Sequence, residues 1–109
     1  MKIYSIWLLI VAFVYRLARR VAVDDKDLAR QMRRAVASAS LNMAEGMHGH
    51  GGTRIARFHS AMGSARETRA CLDVCIAAEF VDAKAVAAEL DRIDHVIASL
   101  FILTHKRKA

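Results

Sequence analysis

The chain has 109 residues, enough for one buried core and too few for two. Proline is absent, 55% of the residues are hydrophobic and 26% are charged, which favours long uninterrupted helices over a turn-rich β fold. The formal net charge of +6 favours an anionic partner, nucleic acid ahead of a membrane surface, although surplus charge also simply aids solubility.

The first helix is expected over about residues 3–21. It is apolar nearly all round at its start, which implies contact on more than one face and hence an oligomer. Its apolar run from Ile6 to Tyr15 is shorter than the ~20 residues of a membrane span. The residues that follow, Arg16, Arg19 and Arg20, stand where a secretory signal needs a small-residue cleavage site. A helix buried in an assembly is therefore expected ahead of a membrane segment.

The second helix is expected over about residues 25–45, with Asp24 as N-cap and Asp25 and Asp27 in the first turn, where the helix dipole favours acidic groups. Steps of three and four align Gln31, Arg34, Ser38, Asn42 and Glu45 on one side. Leu28, Met32, Ala35, Ala39 and Met43 form the adjoining apolar stripe, so the polar groups lie at the flank of a core and need partners. Arg30 and Arg33 are expected to point outward. Gly46 is expected to end the helix in the left-handed conformation, with Gly49, Gly51 and Gly52 in a loop. His48 and His50 in that loop lack a nearby cysteine or carboxylate pair beyond Glu45, and an inert loop is the favoured reading over a metal site.

Thr53 is the expected cap of a third helix over about residues 54–79. Ile55, Phe58, Met62, Ala65, Leu72 and Ile76 form its apolar side, with Arg69 intruding. Ser60, Ser64 and Glu67 form a small, polar row, which makes an Arg34–Glu67 or an Arg34–Glu45 interaction reasonable. Cys71 and Cys75 stand four apart on the helix, about 5–6 Å between Cβ atoms and too far for a disulfide. They read as reduced, packed thiols of a cytoplasmic protein. Asp82 is the expected cap of a fourth helix over about residues 83–105, on which Val86, Leu90, Ile93, Ile97, Leu100 and Thr104 make a short heptad seam. The final HKRKA is expected to fray.

Four long helices with short connections give an all-α, up-down-up-down antiparallel four-helix bundle forming a single domain. Neither a nucleotide-binding glycine motif nor a nucleophile with its base and orienting acid can be assembled from spacing, and His59, His95 and His105 stand isolated. No enzymatic activity, cofactor, metal or small-molecule substrate is expected. The arginines concentrate before residue 70 and most of the acids follow it. Arg16, Arg19, Arg20, Arg30, Arg33, Arg54 and Arg57 are the candidate phosphate contacts, the alternative being a solvated face with intersubunit ion pairs. With few aromatics and most of those at apolar helix positions, binding would rest on phosphate charge and shape.

One stretch carries more than pattern. Gln31, Arg33, Arg34, Ala35, Ser38, Asn42, Ala44, Glu45 and Gly46 match the motif Q-x-R-R-A-x-x-S-x-x-x-N-x-A-E-G, and Ala61, Gly63, Ser64 and Glu67 loosely match A-x-G-S-x-x-E. In these two elements the chain resembles the bacterial four-helix bundle proteins of intervening sequences in 23S ribosomal RNA genes. The resemblance extends from about Asp24 to Leu103. The first helix shares only Trp7 and Tyr15 with the family and is more apolar than usual. What the resemblance implies is a non-enzymatic bundle assembling as a homopentameric ring. Relatives include the accessory variability determinant of diversity-generating retroelements, which binds nucleic acid and a reverse transcriptase. The expected function is then binding of structured RNA or an RNA/DNA hybrid through basic surfaces. Gln31, Arg34, Ser38, Asn42, Glu45, Ser64 and Glu67 would form a structural polar network. The alternatives are a protein-interaction scaffold without a nucleic-acid role and, third, a peripheral membrane protein using the first helix.

Overall fold

The computed structural model describes residues 1–105, and its ordered elements are four α-helices: α1 Lys2–Val21, α2 Lys26–His48, α3 Gly51–Ala77 and α4 Ala83–His105. Helices of this length rise about 30–40 Å, and they lie side by side in a bundle measuring 49 × 22 × 19 Å. α1 packs on α2 and α4, α2 on α3, and α3 on α4, so chain neighbours are spatial neighbours around a square. The pairs Trp7–Val36, Ser38–Ser64 and Arg69–Asp94 fix the antiparallel register of three seams. The up-down-up-down bundle expected from the sequence is the observed fold.

The core is built from one face of each helix. Trp7, Ile10 and Val14 from α1, Met32, Val36 and Met43 from α2, Phe58, Met62 and Leu72 from α3, and Val86, Ile93 and Leu100 from α4 are all fully buried. The Trp7 indole N–H donates to the Val36 carbonyl at 2.9 Å, which satisfies the polar edge of the largest core side chain and pins α1 to α2. α1 buries only one of its apolar faces: Leu8 and Leu9 remain exposed, Leu9 at 62%.

Several local expectations are corrected. Asp25, not Asp24, caps α2, its carboxylate accepting from the Leu28 N–H at 2.9 Å. Gly46 does not end α2. It is helical and buried, because the Phe58 ring lies directly against it, where a Cβ would sit 2.6 Å from Cε1. The helix runs on to His48, with Gly49 as its extended C-cap. α3 starts three residues early, at Gly51, whose φ of +56° suits glycine, and His50 rather than Thr53 occupies the N-cap position. α3 stops at Ala77, two residues before the expected end. Glu79 adopts a left-handed φ of +64° and the Phe80 N–H donates to the Cys75 carbonyl at 2.9 Å, the closure of a Schellman turn. On α3, Ile55 is exposed rather than part of the apolar side, and Arg69 is accommodated by pairing with Asp94 of α4. α4 begins after Asp82, whose carbonyl accepts from the Ala85 N–H at 3.0 Å, and Val96 joins its buried seam. Of the HKRKA expected to fray, His105 is instead the last helical residue of α4, and residues 106–109 lie outside the described residues.

Candidate nucleic-acid interface

The polar motif of α2 meets α3 along a seam of small residues. Ser64 Oγ donates to Ser38 Oγ at 3.0 Å, and the Asn42 amide donates to the Ser38 carbonyl at 3.0 Å and to Ser38 Oγ at 3.4 Å. Serines at the crossing let the two backbones approach, and their hydroxyls satisfy one another where bulkier side chains would hold the helices apart. Thr68, fully buried on α3, returns its hydroxyl to the Ser64 carbonyl at 2.9 Å. The seam therefore brings Ser38, Asn42 and Ser64 together.

Gln31, Arg34 and Glu67 join them differently. They are exposed and line, with Ala35 and the two serines, a small cleft of about 150 Å³ between α2 and α3. Among the described residues Arg34 makes no ion pair, so neither the Arg34–Glu67 nor the Arg34–Glu45 contact forms. Exposure removes the need for one, since the guanidinium stays hydrated. Glu45 instead pairs with Arg57 of α3 at 2.9 Å.

The candidate phosphate-contacting arginines fall into two groups at opposite ends of the bundle. Arg16, Arg19 and Arg20 are exposed on the last turns of α1, next to the turn that leads into α2. Arg30 and Arg33 lie near the start of α2. Arg30 is exposed and bridged to Asp27 at 2.9 Å, whereas Arg33 is half-buried rather than turned outward. Arg54 and Arg57 lie where α3 begins, alongside the last turns of α2. The 15 residues from Arg30 to Glu45, the partner of Arg57, separate the two groups by about 22 Å of helix rise. Arg54 is half-buried: its guanidinium donates to the Gly46 carbonyl at 3.1 Å and lies 4.8 Å from the centroid of the Phe58 ring. It thus has a structural task, capping the end of α2 and covering Phe58. The seven arginines do not form one patch.

Arg16 and Arg20 also border a set of adjoining clefts between α1 and the α3–α4 turn. The largest, of about 600 Å³, is lined by Arg20, Phe80, Val81 and the acidic Glu79 and Asp82. α1 itself carries Lys2, Arg16, Arg19 and Arg20 and no acidic residue, while α4 carries Glu89, Asp91 and Asp94 against Lys84 and Arg92. The division of charge along the chain becomes a division between neighbouring helices.

Other groups complete the chemical inventory. Cys71 and Cys75 are free and buried, and the Cys75 thiol lies 3.7 Å from the Met32 sulfur. Burial pushes the Cys75 thiol up to about 11, with Cys71 adding to it, and also raises Cys71. No group of three or more His, Cys, Asp or Glu is placed to hold a metal among the described residues. Nor, among them, is any helix long and apolar enough to cross a membrane. Sequence reading missed one cluster: His59 of α3 and His105 of α4 face each other, with His105 stacked on Phe101. These histidines lie far apart in the chain, and only the antiparallel α3–α4 register joins them.

Comparison with known proteins agrees with this architecture. A solved structure of a protein of unknown function from the S23 ribosomal protein family of Bacteroides thetaiotaomicron superposes with a TM-score of 0.86 at 16% sequence identity, covering 95% of this chain and 99% of that one. At that identity the likeness concerns the fold. No curated protein matches the chain. The family model for the 23S rRNA-intervening sequence protein matches residues 1–101, which take in all of α1 to α3 and most of α4. With that match over nearly the whole of the bundle, the chain belongs to the 23S rRNA-intervening sequence protein family.

Proposed function

We propose that this protein is a non-enzymatic, cytoplasmic homo-oligomer, a pentameric ring, that binds structured RNA or an RNA/DNA hybrid and presents it to another protein, such as a reverse transcriptase. The observation that carries the reading is the distal half of α1: three exposed arginines within five residues, on a helix with no acidic residue of its own, Arg20 alone bordering the acidic Glu79 and Asp82 of the α3–α4 turn. Family membership supports RNA as the anionic partner. Arginine forks at this spacing suit consecutive phosphates, with the sequence read weakly if at all. The exposed Leu8 and Leu9 of α1, and Ile102 of α4 at 66% exposure, support burial of a further face between protomers.

The α1 arginines replace the α2 pair as the primary contacts in this reading, because Arg30 is engaged by Asp27 and Arg33 is half-buried. Fluorescence anisotropy with a labelled RNA hairpin tests it. At low salt the wild-type protein binds, and the Arg16→Ala/Arg19→Ala variant binds at least about tenfold more weakly for the loss of two charge-assisted contacts. Absence of binding by the wild-type protein would favour the scaffold reading, in which the same basic surface meets an acidic protein.

A further inference from the structure

We infer that His59 and His105 form a two-histidine binding site for a divalent transition ion of the zinc class, on the outer surface where α3 meets α4. The two ring centroids lie 6.1 Å apart with the planes at 47°. An ion held at 2.0–2.1 Å by one nitrogen of each ring separates the centroids by roughly 5 to 6.5 Å, depending on the nitrogen–metal–nitrogen angle. At the tetrahedral angle the centroids stand about 5.2 Å apart, so bridging draws the exposed His59 side chain about 1 Å toward His105 through its side-chain torsions.

The hydrogen bonding of His105 also suits an ion. Its Nδ1 lies 2.9 Å from both the Phe101 carbonyl oxygen and the Thr104 hydroxyl; the carbonyl only accepts, which favours the tautomer with the proton on Nδ1. Nε2 is left with its lone pair available. A backbone carbonyl that holds one ring nitrogen protonated and presents the other is the usual arrangement behind a metal-bound histidine. The ring is further fixed by stacking on Phe101, with centroids 3.8 Å apart and planes 14° from parallel. His105 is therefore oriented before any ion arrives. His59 is exposed and supplies the second imidazole. Neutral imidazole suits zinc, copper and nickel ahead of calcium or magnesium. With two protein donors the remaining coordination positions stay open for water or for a donor from a bound partner.

This inference does not rest on the nucleic-acid reading. The test is a Zn²⁺ titration of the full chain, followed by the imidazole ring resonances of all five histidines, with circular dichroism to confirm that each variant stays helical. The resonances of His59 and His105 are expected to shift together and saturate at one equivalent. His59→Ala and His105→Ala should each weaken binding about tenfold or more, while the His48→Ala/His50→Ala variant keeps it. Both target residues are exposed, so the variants retain the core. Zn²⁺ shifting all five histidines alike, acting at His48 and His50, or binding the His59 and His105 variants as it does the wild-type chain would overturn the assignment.

Discussion

Gly46 shows how one residue can be read correctly as important and wrongly as to why. From the sequence, a glycine after a long helical stretch and before a glycine-rich segment is a left-handed cap. In the fold it is a helical residue whose missing Cβ makes room for Phe58, the ring atoms standing 2.6, 2.7 and 3.1 Å from where that carbon would lie. The ring is itself held between the core and Arg54, so it has little freedom to yield. Gly46→Ala gains helix propensity of about 1 kcal/mol and incurs an overpacking cost of about 1–3 kcal/mol. A net loss of up to about 2 kcal/mol is expected in urea unfolding, and Phe58→Leu in the same chain should recover part of it. The thiols offer a second check at this scale. Because burial raises Cys71 and Cys75 in the folded protein, their protonated forms stabilise the fold fully below the unfolded thiol pKa of about 8.5. That contribution is lost as pH rises toward 11. Urea midpoints should fall across this window, and fall less in a Cys71→Ala/Cys75→Ala variant.

The number of helices, their order and most of the core stripes were legible at the scale of elements, because 3.6-residue periodicity records which face is buried. The boundaries that moved are those decided by neighbours. α2 continues through Gly46 because Phe58 packs there, and α3 ends early because Glu79 accepts a left-handed conformation that the Phe80–Cys75 hydrogen bond closes. The polar stripe was legible as a stripe, whereas its pairing was not. Ser38 accepts from Asn42 within α2 and from Ser64 across the seam, but Arg34 and Glu67 stay in water and Glu45 turns to Arg57. Helical angle places a group at a flank and leaves the reach of a long side chain undetermined. α1 carries the clearest prediction for assembly. Its second apolar face, with Leu8 and Leu9, lies outside the protomer core, and Ile102 of the adjacent α4 is likewise exposed. Leu9→Lys/Ile102→Glu should leave helicity intact and lower the mass measured by light scattering toward that of a single chain. An unchanged mass would move the interface elsewhere.

Over the whole molecule, charge is the property on which the proposed function rests, and it is distributed by the topology. The antiparallel turn between α1 and α2 collects Arg16, Arg19, Arg20, Arg30 and Arg33 at one end, while Arg54 and Arg57 lie at the other, committed to Gly46, Phe58 and Glu45. Composition gave a basic protein. It could not give this separation, which depends on how far each residue lies along its helix. The proposed binding of nucleic-acid phosphates by exposed arginines of α1 is tested by the affinity for a labelled duplex across a salt series. Wild-type protein should lose affinity linearly in log–log form, with a slope of about −0.9 for each phosphate neutralised on duplex DNA and a comparably steep loss on structured RNA. The Arg16→Ala/Arg19→Ala variant should give a slope shallower by about 0.9 for each of the two arginines that contacts a phosphate. Wild-type binding that is absent at low salt, or a variant with the same slope and affinity, would show that these arginines do not contact phosphate.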